Sequence, residues 1–562
     1  TAASAAEGDG WFAGIAISGA GAEACNVILN STQAYVDTSS LDTAGNIDIE
    51  AVDMAIITAD VATLSEASST GYVGISVSIG AVTAHNFIGY TADGTLQPAE
   101  VLAYVQDATL DADGSVTVSA TEAAEIEAKV LCGSAASAAG AIAVAASGAG
   151  VVIANKVATD VKVFVADTDD DDAIATAVEA GGSVTITATD SSAITAVANA
   201  VSFAVAIGKI GIASAVSVSL ANNSIDNDVE AYASSAKLTT TTGDLIITAK
   251  ETASVTSTAT AASAGFSGLF SAAVSGAISD ATIATTTLAY ADPVELKIGG
   301  DIAIDGISTA TGSATTIANS TSAAFISISG AVTEATADVT PAVEARLGGY
   351  TGEDEDRIVQ ADGTIAVVAT QAGTATSEAV GDTEAVGFSV AVGATSAVAS
   401  IASPDADTPS VKRSISGGQI IAGGDLTVSA VYNTDQDDKV VNGSGASATA
   451  QSAAGGLVSS SKSYASAESN VDVQALVASS AVLTAADSAI DVSASGENVA
   501  QADTGGSSEG LVSVNYIGSE ATVGGGVLAD FDGSVLDAFS VTVEARGRNN
   551  AESDIVVAGF GG

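Results

Sequence analysis

The feature that most constrains this chain is that it repeats itself. A turn followed by an alternating apolar–polar run recurs nine times: LDTAGNIDIEA (41–51), LDADGSVTVSA (110–120), GGSVTITA (181–188), TGDLIITA (242–249), GGDIAIDG (299–306), DGTIAVVA (362–369), GGDLTVSA (423–430), ADSAIDVSA (486–494) and LDAFSVTVEA (536–545). The period is about sixty residues, and tandem units of this size build solenoids whose copies bury their faces on one another. Residues 1–562 therefore read as one continuous array, with units ending near 51, 120, 188, 249, 306, 369, 430, 494 and 545.

Composition decides what kind of solenoid. Apolar residues make up 47% of the chain but aromatic residues only 4%, so the hydrophobic mass is Ala and Val. Val, Ile and Thr favour strands, whereas Gly and Ser weaken helices. Small side chains cannot fill a thick globular core, but they let two backbone layers approach closely. The expected fold is all-β: a parallel β-solenoid, or β-helix, flattened and built from long strands. Positive mean hydropathy (+0.42) with 15% charged residues argues against disorder.

Within a unit, the strand leads into a polar-alternating run such as KETASVTSTATA (250–261), then a Gly/Ala/Ser patch such as SAGFSGLFSAAVSGA (263–277). A second extended run ends in AYV (34–36), AYV (103–105), VFV (163–165), AYA (231–233) or LAY (288–290), replaced later by EARL (344–347) and QALV (474–477). Each unit reads as two long strand regions joined by a Gly-rich turn and a second corner. Pro98, Pro293, Pro341, Pro404 and Pro409 all fall near that corner, as expected of a residue that cannot donate to a ladder. Stacked units would align Tyr35, Tyr104, Phe164, Tyr232 and Tyr290 as an aromatic ladder. Its spacing is about 4.8 Å if each unit is one rung, and double that if each is two.

The order of these segments resembles very large bacterial surface proteins, the β-strand-repeat or filamentous-haemagglutinin-like adhesins and extracellular fibre proteins. The resemblance covers essentially the whole chain. It departs in unit length, the haemagglutinin-like rung being much shorter. It implies export to the cell surface, a parallel β-helix, and a role in contact, biofilm or fibre formation.

What the chain lacks narrows its chemistry. It holds one His, one Trp, one Met and two Cys, and 15 Lys+Arg stand against 67 Asp+Glu. With a single His there is little acid–base machinery, and an enzyme is not expected. The net charge of −52 repels nucleic acid and anionic membrane surfaces. The uncharged run 130–155 reads as a buried strand pair, because it is mostly Ala, Gly and Ser. His85 reads as a surface residue. Cys25 and Cys132 read as small hydrophobes, with a disulfide as the alternative. The sequons at Asn30, Asn222, Asn319 and Asn442 depend on the host. The Thr runs 239–242 and 285–287 do not recur at the repeat period, as an ice-binding array would require.

One cation chemistry is open. Two units carry acidic insertions at the same corner, DTDDDDAI (167–174) and GGYTGEDEDR (348–357). Asp167, Asp169, Asp170, Asp171 and Asp172 form one cluster, and Glu353, Asp354, Glu355 and Asp356 another; Asp435, Asp437 and Asp438 form a third. Ca2+ takes six to eight oxygens, which flexible acidic loops can supply. No other cofactor is expected. Two functions compete. The first is an extracellular filament or adhesin stalk whose partner is itself, by head-to-tail stacking or as part of a longer chain. The second is a Ca2+-dependent module attaching to other cell surfaces, an S-layer or polysaccharide. The ends match this picture: AESDIVVAGFGG (551–562) stops just past a first strand region, and TAASAAEGDGWFAGIAISG (1–19) matches the Gly-rich turn and second strand region.

Overall fold

The computed structural model describes residues 1–168, 176–292, 295–348, 358–403, 409–434 and 444–561. Among them all regular structure is strand, without a helix. Among the described residues all strand pairing is parallel, in one continuous 31-stranded sheet, and the sole antiparallel contact is the bridge Tyr90–Leu96.

One lap of the chain shows how the sequence makes this. Ile47–Thr70 is a 24-residue strand with strict inward–outward alternation. The chain reverses at Gly71–Tyr72 and returns as Val73–Ile88, 16 residues. Two short strands, Ala99–Gln106 and Thr109–Ala112, then close the lap. The next long strand, Val116–Ala139, lies parallel beside Ile47–Thr70. The second corner is thus two short sides rather than a single bend.

Register follows the repeat. Ala51 pairs with Ala120, Ala120 with Ala188, Ala188 with Ala249, and Ala249 with Gly306. Gly306 pairs with Ala369, Ala369 with Ala430, Ala430 with Ala494, and Ala494 with Ala545. The aromatic rings settle the lap. Tyr35, Tyr104, Phe164, Tyr232 and Tyr290 stack face to face with centroids 4.9, 4.8, 5.2 and 4.6 Å apart. That is one strand spacing per aromatic, so each lap adds one layer. Arg346 takes the next place, its guanidinium 4.8 Å from the Tyr290 ring centroid and 2.8 Å from Asp292.

The cross-section has two parts, set by residue size. The first half of each long strand and the two short sides enclose a core of Ile, Val and Leu, among them Ile49, Val101, Leu110, Val118 and Ile186. Burying each such side chain contributes about 1.5–3 kcal/mol, so most of the hydrophobic stabilisation lies there. The second half of the long strand and the return strand instead face each other across a thin slab. Its interior is mainly Ala, as in Ala136, Ala138, Ala143 and Ala145.

Two details differ from the sequence reading. Pro341 lies inside the strand Ile302–Leu347 and pairs with Thr285, where the return strand passes into the first short side. Residues Ala2–Asp9 are a strand paired with Thr63–Thr70, so the Gly-rich turn opens only at Gly10. Both cysteines are free thiols: Cys25 is exposed, and Cys132 is buried and accepts a hydrogen bond from Thr63 Oγ1 at 3.3 Å. His85 is half-buried against Phe87. Among the described residues no helix is long and apolar enough to cross a membrane, and residues 130–155 are a strand, its turn and the strand facing it.

Candidate functional site

Where the large-residue core meets the Ala/Ser slab, the interior carries polar columns parallel to the stacking axis. Their origin is periodic. A residue two positions after a strand-ending Ala has the same parity and points inward. In the first four laps that residue is an acid: Asp53, Glu122, Asp190 and Glu251. The ladder places them in register, Asp53 on Glu122, Glu122 on Asp190, and Asp190 on Glu251. Later laps continue the column with Ser308, Gln371 and Tyr432.

Glu122, Asp190 and Glu251 are fully buried, and each meets a different environment. Asp53 accepts a hydrogen bond from Asn30 Nδ2. Asp190 is well held: Thr159 Oγ1 donates at 2.8 Å and Asn227 Nδ2 at 2.9 Å. Glu251 accepts from Ser308 Oγ at 2.6 Å, while its Oε1 has no hydrogen-bond partner among the described residues. Neither oxygen of Glu122 has a hydrogen-bond partner among the described residues. Burial pushes the Glu122 carboxyl up to about 8, and Asp53 and Asp190 push the same way. Burial pushes Glu251 up to about 8 as well, against the hydrogen bond from Ser308. Asp190 rises only to about 6, because Thr159, Ser192 and Asn227 stabilise its anion. Glu122 and Glu251 therefore stay protonated in mildly acidic water, and their burial is relieved by neutralising charge instead of pairing it.

Beside it run two uncharged columns. Asn26 donates to Asn86 at 2.8 Å, Asn86 to Asn155 at 2.7 Å, Asn155 to Asn223 at 2.7 Å, and Asn223 to Ser257 at 2.7 Å. Within the slab, the hydroxyls of Ser18, Ser65, Ser78, Ser134, Ser147 and Ser202 form a zigzag of 2.9–3.0 Å contacts between the facing strands. These chains satisfy buried polar groups layer by layer, as an interior this thin requires.

Of the acidic corner residues, only Asp167 lies among the described residues. Its Oδ2 accepts the backbone N–H of Thr176 at 2.9 Å. Next to it, Thr168 donates through N–H and Oγ1 to the Asp107 carboxylate at 2.8 and 2.7 Å. Asp169, Asp170, Asp171 and Asp172, Glu353, Asp354, Glu355 and Asp356, and Asp435, Asp437 and Asp438 lie outside the described residues. Among the described residues no group of three or more His, Cys, Asp or Glu is arranged to hold a metal. Comparisons with protein-family profiles, curated proteins and solved structures find no match.

Proposed function

We propose that this protein is an extracellular structural filament or adhesin stalk, built of about nine ~60-residue layers that continue either into further repeats or onto another copy, head to tail. The observation that carries this reading is the uninterrupted one-layer-per-lap ladder, marked by aromatic rings at strand spacing. A repeating layer of this kind has no intrinsic length limit, because each layer offers the next the same hydrogen-bonding edge. The interior supports a scaffold role too: its asparagine and serine columns spend their hydrogen bonds on neighbouring layers. Negative-stain images of the purified chain are expected to show rods or filaments of constant width, and oriented samples a meridional reflection near ~4.8 Å. Compact particles without that reflection, or turnover of polysaccharide by the purified chain, would overturn the reading.

A further inference from the structure

The two outer faces of the slab differ in a way the fold itself does not require. The outer face of the long strands carries charge, as at Asp60, Glu66, Glu125, Glu127 and Lys129. Four neighbouring columns on the outer face of the return strands carry none across seven layers: residues 13–22, 73–82, 142–153, 210–221, 270–279, 326–333 and 388–402 contain no Asp, Glu, Lys or Arg, and the first charges, Glu23 and Glu334, stand in the next column. That face is apolar and open to solvent, with Ile17 70%, Ile79 57%, Val332 55% and Phe388 61% exposed. Its columns run in register through the ladder, for example Ile15, Ile75, Val144, Ile212, Phe270 and Ile326.

Interleaved with these ridges are glycines. Gly148 is flanked in its column by Ile79 and Val216, and Gly276 follows Val218. A Cβ at Gly148, Gly150 or Gly276 would meet no atom of the chain within 4 Å, so their own fold leaves room for a side chain. Glycine within a strand costs stability and marks places where another backbone comes close. Here no backbone of this chain does.

We infer that the uncharged columns on the outer face of the return strands pack against the same columns of a second copy, the Val and Ile side chains of one seating in the glycine gaps of the other. Three observations favour a second copy as the occupant. Only another such ladder repeats at the same strand spacing, so that the side-chain columns of the two copies run in step layer by layer. For a chain of net charge −52, this is the slab face on which two copies meet without opposing carboxylates. Seven strands by four side-chain columns span about 34 Å by about 27 Å, or ~900 Å2, close to the ~800 Å2 per partner of a stable interface. An apolar patch of that extent is unusual on a monomer. This pairing is lateral and independent of end-on stacking: it doubles width where stacking adds length.

Sedimentation equilibrium of the full chain, with negative-stain images for particle width, tests it. The native chain is expected to form a concentration-dependent pair of double width. The triple substitution Gly148→Thr, Gly150→Thr, Gly276→Thr is expected to weaken that pairing by at least about tenfold, with strand content and melting temperature kept or raised. Val216→Lys with Val274→Lys should do the same by placing charge on the face. Thr256→Lys, on the outer face of the long strand, should leave pairing intact. A native chain that stays single-width at high concentration, or glycine and lysine variants that pair as tightly as the native chain, would overturn the inference.

Discussion

At the scale of single residues, the fold tolerates ionisable groups in its interior by neutralising them, and this has a pH signature. Glu122 and Glu251 titrate near 4.5 when unfolded and near 8 when folded. The folded state thus binds protons the unfolded state has released. Their contribution is complete below about pH 4.5 and is lost as pH rises through about 8; Asp190 adds a smaller loss between 3.8 and about 6. Melting temperature should fall between pH 5 and pH 9, by a free energy on the order of several kcal/mol. Glu122→Gln, which keeps the shape of the protonated acid, should flatten that slope and exceed the native chain in stability at pH 9. A melt independent of pH over this range would refute the assignment. Arg413 presents the opposite sign. It is fully buried, no acceptor among the described residues reaches its three guanidinium nitrogens, and burial pulls its pKa well down, with Asp305 acting the other way. Replacing an uncompensated buried charge by an apolar chain of similar size stabilises, so Arg413→Met should raise stability by at least about 1 kcal/mol in denaturant melts.

At the scale of elements, stability is carried by columns that cross the strands. Asn155 sits mid-ladder, donating to Asn223 and accepting from Asn86. Asn155→Ala should orphan both neighbours and cost about 2–4 kcal/mol, whereas Asn26→Ala at the half-buried end of the ladder should cost clearly less; equal losses in urea melts would show that the column does not act as a unit. The same columns show what was legible in the residues. The turn-plus-strand motif is local, and its terminal residues, Ala51 to Ala545, do stand in register. The aromatic ladder was legible for the same reason, since Tyr35 to Tyr290 recur at a fixed place in the unit. The number of rungs per unit was not, because inward–outward alternation is identical whether sixty residues make one lap or two. The direct pairing of Ala51 with Ala120 and the ring spacing distinguish them. The buried acids were missed although their signal is present: Asp53, Glu122, Asp190 and Glu251 each follow a strand-ending Ala by two residues. Charge suggests a surface residue, and parity alone, which points inward, had to be weighed against it. The acidic insertions at 169–172 and 353–356 lie outside the described residues, so their reading as cation sites rests on the sequence alone.

At the scale of the whole molecule, the arrangement separates two charge problems. Inside, protonation removes charge; outside, most of the chain's formal −52 stays exposed to water and repels itself. Exposed charges interact through solvent within a Debye length of about 10 Å at 0.1 M salt, and successive layers are closer than that, so each layer feels the carboxylates of its neighbours. Monovalent salt should therefore raise the melting temperature steadily from about 10 mM to about 300 mM, unlike a chain held by surface ion pairs, which salt would weaken. Divalent ions then discriminate between screening and site binding. If the acidic corners at 167–174 and 348–357 are only solvated charge, CaCl2 and NaCl matched in ionic strength will give the same melt, and EDTA will change nothing. A further rise with Ca2+ that EDTA reverses, and that disappears when the aspartates 169–172 are replaced by asparagine, would instead assign those corners as ion sites, because screening by itself does not distinguish one side chain from the next.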